Sequence, residues 1–327
     1  MDKYFLSPGA DGIDMSDAIL ERLNEYGVCI LGAGDYLVSG VKMPDNSTIY
    51  GMGRATRVIL SDSVESGAAI DMGSFCTVRG LFITGAEKET KVPDTLGTRH
   101  GIRFMGDATD FNREKIQPKN SMIEGCFITS FSGGGITLVD TGYAIDSSVT
   151  VTNCQIMRCG AGLNIFSFSE YHSFSNILST NNLYGCINNG GNNLFSACHF
   201  SSNKTGFLID NRNGQSNNNS HGSVVGCTFN HSDKNEGVGI EILGARHGFV
   251  FSACQLFFSK IVVENSYGIR FSDFNCGKRE ELCVKGGGSV IFENFIFKEF
   301  PKTTVEDNEN VEFVNFHLEN GESDTIK

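Results

Sequence analysis

Hydrophobic residues recur along this chain in an eight-residue pattern: apolar, x, apolar, x, x, small or apolar, x, apolar. Alternation with a period of two is typical of a β-strand, and the extra residue in the middle indicates a bend between two strands. Weaker copies of the pattern centre on Cys126, Asn181, Cys198 and Cys227. The clear copies begin at Cys76, Val149, Phe249, Ile269, Val290 and Val311.

Successive copies lie roughly 20 to 30 residues apart, and many are followed by another short strand that opens with glycine. No helical segments separate these strands, which excludes the TIM-barrel and doubly wound folds. A unit of this length that holds only strands is one coil of a solenoid. The sequence therefore predicts an all-β fold, a single-stranded right-handed parallel β-helix. The glycine-opened strands are at 135–138, 162–165, 206–209 and 239–242.

Only one segment is predicted to be helical, at residues 17–26, with Asp14 as a candidate cap and Gly27 at the end. A short amphipathic helix would cover the open apolar end and the unpaired strand edges of the first coil. We expect one domain over 1–327. Its parts are an N-terminal cap and entry at 1–45, the coils at 46–318, and a polar tail at 319–327.

The 11 cysteines fit this repeat better than they fit a disulfide framework, because several occupy the same inward position of successive coils. We expect them to stack as free, buried thiols about 4.8 Å apart along the axis. Asn181 is expected to replace cysteine in this column. Phenylalanine continues the column where the coils shorten, at Phe274, Phe295 and Phe316. The stacked cysteines are Cys126, Cys154, Cys198, Cys227 and Cys254.

Charge and hydropathy argue against some classes of partner and location. A formal net charge of -12 argues against a nucleic-acid partner, whose phosphates require a basic face. No apolar run reaches the roughly 18 residues of a membrane span. The opening MDKYFLSPGADG lacks the layout of a secretory signal, which leaves the location open between a virion and the cytoplasm. No cofactor or metal site is predicted.

The first sixty residues resemble the entry segment of the pectate-lyase-like superfamily, which includes many phage tail spikes. The resemblance rests on GADG at 9–12, VCILGAGDYLV at 28–38, MPDNSTI at 43–49 and GMG at 51–53. It implies a β-helix that binds or processes a polysaccharide. The family includes lyases, glycoside hydrolases, epimerases, fructan transferases and phage proteins that bind or cleave surface polysaccharides, so the resemblance implies no single reaction. The Asn-Thr-Asp, Asp-Asp and Arg-Ile-Lys motifs of the polygalacturonase type are absent from the sequence.

Candidate chemistry comes from insertions that follow the glycine-opened strands, at 106–120, 139–148, 166–172 and 210–220. Because they leave the coil at the same corner, they are expected to stack into one wall beside a groove. An earlier insertion at 84–100 is a candidate lid. The candidate catalytic residues are Asp140, Asp146, Glu170, His172 and Asp210, and the candidate substrate-binding residues are Tyr143, Tyr171, Arg212 and His221. Asp107, Asp110 and Arg113 are expected on the same surface.

These side chains suit two reactions on a sugar chain. A glycoside hydrolase uses two carboxylates, for which Asp140, Asp146, Glu170 and Asp210 are the candidates. A lyase uses a base, for which His172 or Tyr171 is the candidate, and a cation that neutralises a uronate carboxylate, for which Arg212 is the candidate. The sequence leaves both open.

We therefore expect a carbohydrate-active enzyme, a polysaccharide lyase or glycoside hydrolase, which binds and cleaves its substrate in a groove along the β-helix. A phage tail-spike depolymerase is one form that it could take. A non-catalytic glycan-binding adhesin and a structural fibre component are the alternatives. A homotrimer is expected because Ile296 and Phe300 are predicted to face outward, and no capping helix follows Phe316.

Overall fold

The computed structural model of this protein describes residues 3–85, 91–106, 119–142, 148–212, 221–231, 237–320 and 323–324. Within these ranges the chain forms one α-helix and a long series of short strands that stack coil upon coil. The strands pair in parallel within two sheets. The one antiparallel pairing among the described strands joins Val311–Leu318 to Ser323–Asp324.

The larger sheet, here sheet A, has two strand segments in most coils. The first segment of each coil pairs with the first segment of the next, and the second with the second. Its strands are Phe5–Leu6, Val28–Leu31, Gly34–Val38, Thr48–Leu60, Thr77–Thr84, Ser121–Glu124, Phe127–Thr129, Val149–Thr152, Gln155–Met157, Ser173–Ser175, Leu178–Thr180, Asn193–Ser196, His199–Ser201, Gly222–Val225, Thr228–Asn230, Phe249–Ser252, Gln255–Phe257, Ile269–Ser272, Asn275–Cys276, Val290–Phe297, Val311–Leu318 and Ser323–Asp324.

The smaller sheet, here sheet B, receives one strand from each coil and contains the glycine-opened strands that the sequence predicted. Its strands pair in chain order from the N-terminal end to the C-terminal end. They are Val41–Lys42, Gly67–Met72, Arg99–Met105, Gly134–Val139, Ala161–Ile165, Tyr184–Asn188, Thr205–Asp210, Val238–Leu243, Lys260–Glu264, Glu281–Lys285 and Lys302–Glu306.

The bend inside sheet A falls where the eight-residue pattern has its extra residue. Asn153, Asn176, Ala197 and Asn294 all have positive φ there, between 51° and 57°. Asparagine tolerates this left-handed conformation better than most residues, which explains its use at the bend. Asn176 donates from Nδ2 to Oδ1 of Asn153 over 2.6 Å, so neighbouring bends are also linked through their side chains.

One hydrophobic core fills the interior from the first coil to the last. All five stacked cysteines are buried and free, as predicted. Phe274 and Phe295 stack with ring centroids 4.8 Å apart, and Phe295 and Phe316 follow at 5.1 Å. The prediction for Asn181 is wrong. Ile177 holds the inward position between Cys154 and Cys198, whereas Asn181 lies exposed in the following turn at φ 53°.

The N-terminal helix spans Ser16–Tyr26 and packs its buried side chains against the first coils. Gly27 ends it in the left-handed conformation, with φ 68°, and donates its N–H to the carbonyl of Leu23. Asp14 lies one residue before the N-cap position and accepts the backbone N–H of Ser16 over 2.8 Å. The carboxylate therefore satisfies one of the free donors at the helix start.

At the C-terminal end, no helix follows Phe316 among the described residues, and the antiparallel strand Ser323–Asp324 pairs with the last long strand instead. Ile296 is 44% exposed, as predicted. Phe300 is not outward, because it is half-buried and packs against the core. The outward apolar surface on which the trimer prediction rests is therefore smaller than the sequence indicated.

Candidate active site

The outer face of sheet B is concave near its middle and carries the chemistry that a site requires. Apolar side chains form a strip along this face, and the ring of Tyr184 packs against it. The strip consists of Ala161, Ile187, Leu208 and Leu243. Next to it lies a cavity of about 340 Å³, here called the groove. It is lined by Tyr184, Lys204, Thr205, Leu208, Asp210, Arg212, Val238, Glu241, Leu243 and Glu264.

Strand register places the acidic residues of the groove close together. Leu208 pairs with Glu241, and Asp210 pairs with Leu243, which in turn pairs with Glu264. Side chains two residues apart on a strand share a face, so Asp210 and Glu241 point outward from adjacent strands on a diagonal. A strand spacing of about 4.8 Å and two steps of about 3.3 Å put their Cα atoms about 8 Å apart.

Asp210 is held ionised by its neighbour Arg212. The guanidinium donates from Nε to Oδ1 over 2.9 Å and from Nη2 to Oδ2 over 2.7 Å, which is a bidentate pair. This hydrogen-bonded charge holds the pKa of the Asp210 carboxyl below its usual range, and the carboxylate in turn raises the pKa of Arg212.

The pKa of Glu241 is shifted in the opposite direction, upward. Burial on the sheet face raises the pKa of this carboxyl, and the charges of Asp210 and Glu264 raise it further. A hydrogen bond from the Thr205 hydroxyl and the charge of Arg212 offset part of that increase. Two carboxyls on adjacent strands therefore have pKa values that are pushed apart, which is the arrangement that separates an acid from a base.

A second concavity of about 680 Å³ shares Arg212 with the groove and extends toward the following coils. Its lining is cationic, aromatic and amide. The residues are Asn211, Arg212, Gly244, Arg246, Asn265 and Tyr267. Arg246 is exposed, and Tyr267 is 51% exposed.

A cavity of about 550 Å³ also lies near the N-terminal helix, and residues 8–13 form half of its lining. Two of its three carboxylates already have cationic partners, since Asp35 pairs with Arg57 at 3.0 Å and Asp62 with Arg99 at 3.8 Å. The groove on sheet B is the stronger candidate.

Asp210 and Arg212 are the sequence-predicted residues that the structure brings together, and both line the groove. Their ion pair changes the expected role of Arg212, because a guanidinium that donates two N–H groups to Asp210 is already partly neutralised. Asp140 lies farther along the corner where the chain passes from sheet B to sheet A. Burial raises the pKa of its carboxyl.

Glu170, which the sequence placed in the wall formed by the insertions, is buried at 3% exposure. Asn192 donates from Nδ2 to its Oε2 over 2.7 Å, and burial raises the pKa of the carboxyl. The ring of His221 lies 5.8 Å from that of His247 at the same corner. Burial first, and then the charge of His247, lower the pKa of His221.

His172 lies inside the coil at 1% exposure, and both ring nitrogens have partners. Its Nδ1 accepts the backbone N–H of Val149 over 3.1 Å, and its Nε2 lies 2.9 Å from the hydroxyl of Thr141. Burial lowers the pKa of this histidine to about 3. The ring therefore joins neighbouring coils, and the expected role as a substrate-facing base does not fit its position.

Tyr171 is half-buried beside Glu170, with φ 62°, and its N–H is donated to the carbonyl of Gly191. Tyr143, Asp146, Asp107, Asp110 and Arg113 lie outside the described residues.

Within the described ranges, no group of three or more His, Cys, Asp or Glu side chains is placed to hold a metal ion. The same ranges contain no helix that is long and apolar enough to cross a membrane.

Sequence reasoning missed Glu241, Glu264, Lys204 and Tyr184, because it looked only at insertions. The signal was present in the strand at 239–242, where Glu241 stands between two inward isoleucines. A charged residue at the outward position of a strand that is otherwise apolar indicates a functional face.

Comparison with solved structures identifies the architecture. The DFA-IIIase of Arthrobacter chlorophenolicus matches with a TM-score of 0.64 at 10% identity, over 100% of this chain and 99% of that chain. The tailspike protein of Escherichia coli bacteriophage HK620, solved with a pentasaccharide, matches with a TM-score of 0.64 at 11% identity, over 94% and 64%. The A-module of the Azotobacter vinelandii mannuronan C-5 epimerase AlgE6 matches with a TM-score of 0.58 at 13% identity, over 94% and 90%.

The fold is a right-handed parallel β-helix. No protein-family model matches the sequence, and no curated protein matches it at a significant level. The β-helix places the groove on the outside of sheet B, where a long chain can lie across several coils. Identities of 10% to 13% carry no catalytic residue from those proteins to this β-helix.

Proposed function

We propose that this β-helix cleaves a polysaccharide that lies along the outer face of sheet B, with Glu241 and Asp210 as the reacting carboxyls. One observation carries the proposal: two carboxyls in one groove have pKa values shifted in opposite directions. The acid of a glycoside hydrolase must hold a proton near neutral pH, while its partner must be ionised. The enzymes and tailspikes of similar fold support a carbohydrate substrate.

In this reaction Glu241 gives its proton to the glycosidic oxygen as the bond from that oxygen to the anomeric carbon breaks. Asp210 stays ionised because Arg212 is bound to it. The carboxylate takes the proton of a water that attacks the anomeric carbon, or attacks that carbon itself and is later released by water. The anomer of the first product distinguishes the two routes. Tyr184 is positioned to pack against a sugar ring beside them.

A lyase is the second candidate, because Lys204 and Tyr184 line the same groove and are possible bases for proton abstraction. The products separate the candidates. Hydrolysis yields a saturated reducing end, whereas β-elimination also leaves a sugar with a carbon–carbon double bond that absorbs in the ultraviolet. Binding without any product would favour the adhesin.

The test is a screen of the purified protein against bacterial capsules, teichoic acids and uronate polymers, followed by variants on the cleaved polymer. Glu241→Gln removes the proton donor and should lower kcat by about 10² to 10⁴. The control is Glu281→Gln, a carboxylate on the same face that pairs with Lys260 at 3.3 Å outside the groove. Equal activity of Glu241→Gln and Glu281→Gln would refute the assignment.

A further inference from the structure

The concavity that adjoins the groove has a charge opposite to that of the groove. Glu241 and Glu264 line the groove, whereas the adjoining concavity has two arginines and no carboxylate among its described lining residues. Because Arg212 belongs to both, a glycan that occupies the groove would reach this concavity with a neighbouring sugar. The chain has a formal net charge of -12, so this cationic surface stands in contrast to the charge of the protein as a whole.

Arg246 is the arginine whose charge is available. Among the described residues no carboxylate lies within ion-pair distance of it, unlike Arg103, Arg212 and Arg270. Arg212 uses Nε and Nη2 for Asp210, which leaves its remaining guanidinium donors for another acceptor. Each guanidinium presents a fork of N–H donors that matches a carboxylate or a phosphate, and both arginines line this concavity.

The rest of the lining suits a sugar. Tyr267 is about half exposed, and a tyrosine ring can stack on the apolar face of a pyranose while its hydroxyl stays in water. The backbone fixes its position, because the N–H of Tyr267 is donated to the carbonyl of Ala245 over 2.9 Å. Asn265 is exposed and adds an amide group that can bond sugar hydroxyls.

We propose that this concavity is a subsite for an anionic substituent on the substrate, a carboxylate or a phosphate carried by the sugar next to the cleaved bond. The inference rests on the proposed function for its place in a longer glycan. It adds the substrate class, a polysaccharide that carries a carboxylate or phosphate group. Arg246 binds that group and Tyr267 holds the ring that carries it.

Small probes test the subsite without knowledge of the natural polymer. Methyl glucuronoside, glucose 6-phosphate and methyl glucoside are titrated against the full chain while its tyrosine and arginine signals are followed by NMR. At least one anionic probe should bind about tenfold or more tightly than methyl glucoside, the ratio expected for charge-assisted hydrogen bonds. Tighter binding of methyl glucuronoside would identify a carboxylate subsite, and tighter binding of glucose 6-phosphate would identify a phosphate subsite.

Arg246→Gln should abolish the preference for the anionic probe. Arg279→Gln removes one positive charge from an exposed residue outside the concavity and should leave the preference intact. Equal affinities for the charged and neutral probes, or an unchanged preference in Arg246→Gln, would overturn the subsite. Glu241→Gln should keep the anion preference. The binding preference therefore tests the subsite, and the activity of the Glu241 variant tests the proposed cleavage, so either proposal can fail without the other.

Discussion

Replacing His172 distinguishes a buried structural histidine from a catalytic base. The ring is 1% exposed, accepts the Val149 N–H at Nδ1, and lies beside Thr141 at Nε2. These partners fix the neutral tautomer that carries its proton on Nε2. Protonation at Nδ1 would break the bond to Val149 and place a charge in the core, so the folded protein resists protonation.

The size of the effect follows from the two pKa values. The folded pKa is about 3, whereas an unfolded histidine titrates near 6.5. Because the folded value is depressed, the unfolded chain takes up the proton first as the pH falls below about 6.5, and stability is lost down to about pH 3. Between pH 7 and pH 5, this one group lowers the free energy of unfolding by about 2 kcal/mol.

The assay is urea-induced unfolding at pH 7 and at pH 5, followed by circular dichroism. His172→Asn should be less stable than wild type at pH 7, since the contact with Thr141 is lost. Its further loss on acidification should be about 2 kcal/mol smaller than that of wild type. Burial also lowers the pKa of His100, to about 4. His100 causes the same acid-induced loss of stability in both proteins, so its effect cancels in the comparison.

His199→Asn is the control, because that histidine is exposed on the outer face of sheet A. It should leave the difference between pH 7 and pH 5 unchanged. An acid-induced loss in His172→Asn that equals the wild-type loss would refute the buried, neutral ring. A loss of glycan cleavage in His172→Asn without any change in stability would instead return His172 to the catalytic residues.

Three further predictions concern packing and assembly. Phe295→Ala should cost about 3 to 5 kcal/mol in urea unfolding, because the ring is fully buried between Phe274 and Phe316, whereas Phe258→Ala, at a residue 47% exposed, should cost far less. Similar losses would contradict the core assignment. Cys154→Gln should yield aggregated or unfolded protein, since a buried amide without partners costs about 1 to 3 kcal/mol or more; a soluble variant of unchanged stability would refute the column. Light scattering at micromolar concentration should give the mass of a homotrimer, and a mass near 35.5 kDa would rule the trimer out.

The pattern of apolar residues was sufficient to predict the β-helix. Every coil repeats the same inward positions, so a local pattern determines a global shape without distant information. The column of Cys126, Cys154 and Cys198 could be read for that reason. Asn181 was misplaced because the coil that contains it is short and its apolar pattern is weak. The sequence alone could not show whether this polar residue takes the inward position or lies in the following turn.

The sequence also predicted part of the candidate site. It identified Asp210 and Arg212 because both follow a strand at the corner where insertions begin. It could not tell that Glu170 and His172, from another insertion at that corner, would be buried while Asp210 remains partly exposed. Burial depends on which residues of the preceding and following coils cover a side chain.

Only the tertiary structure joined Glu241 to Asp210. They lie 31 positions apart in sequence, and their proximity follows from the register of adjacent strands in sheet B. The opposite pKa shifts likewise depend on burial, on the ion pair with Arg212 and on the nearby Glu264. Periodicity is a property of the chain and can be read from it. Electrostatic environment is a property of neighbours in space, which the chain acquires only when coil stacks on coil.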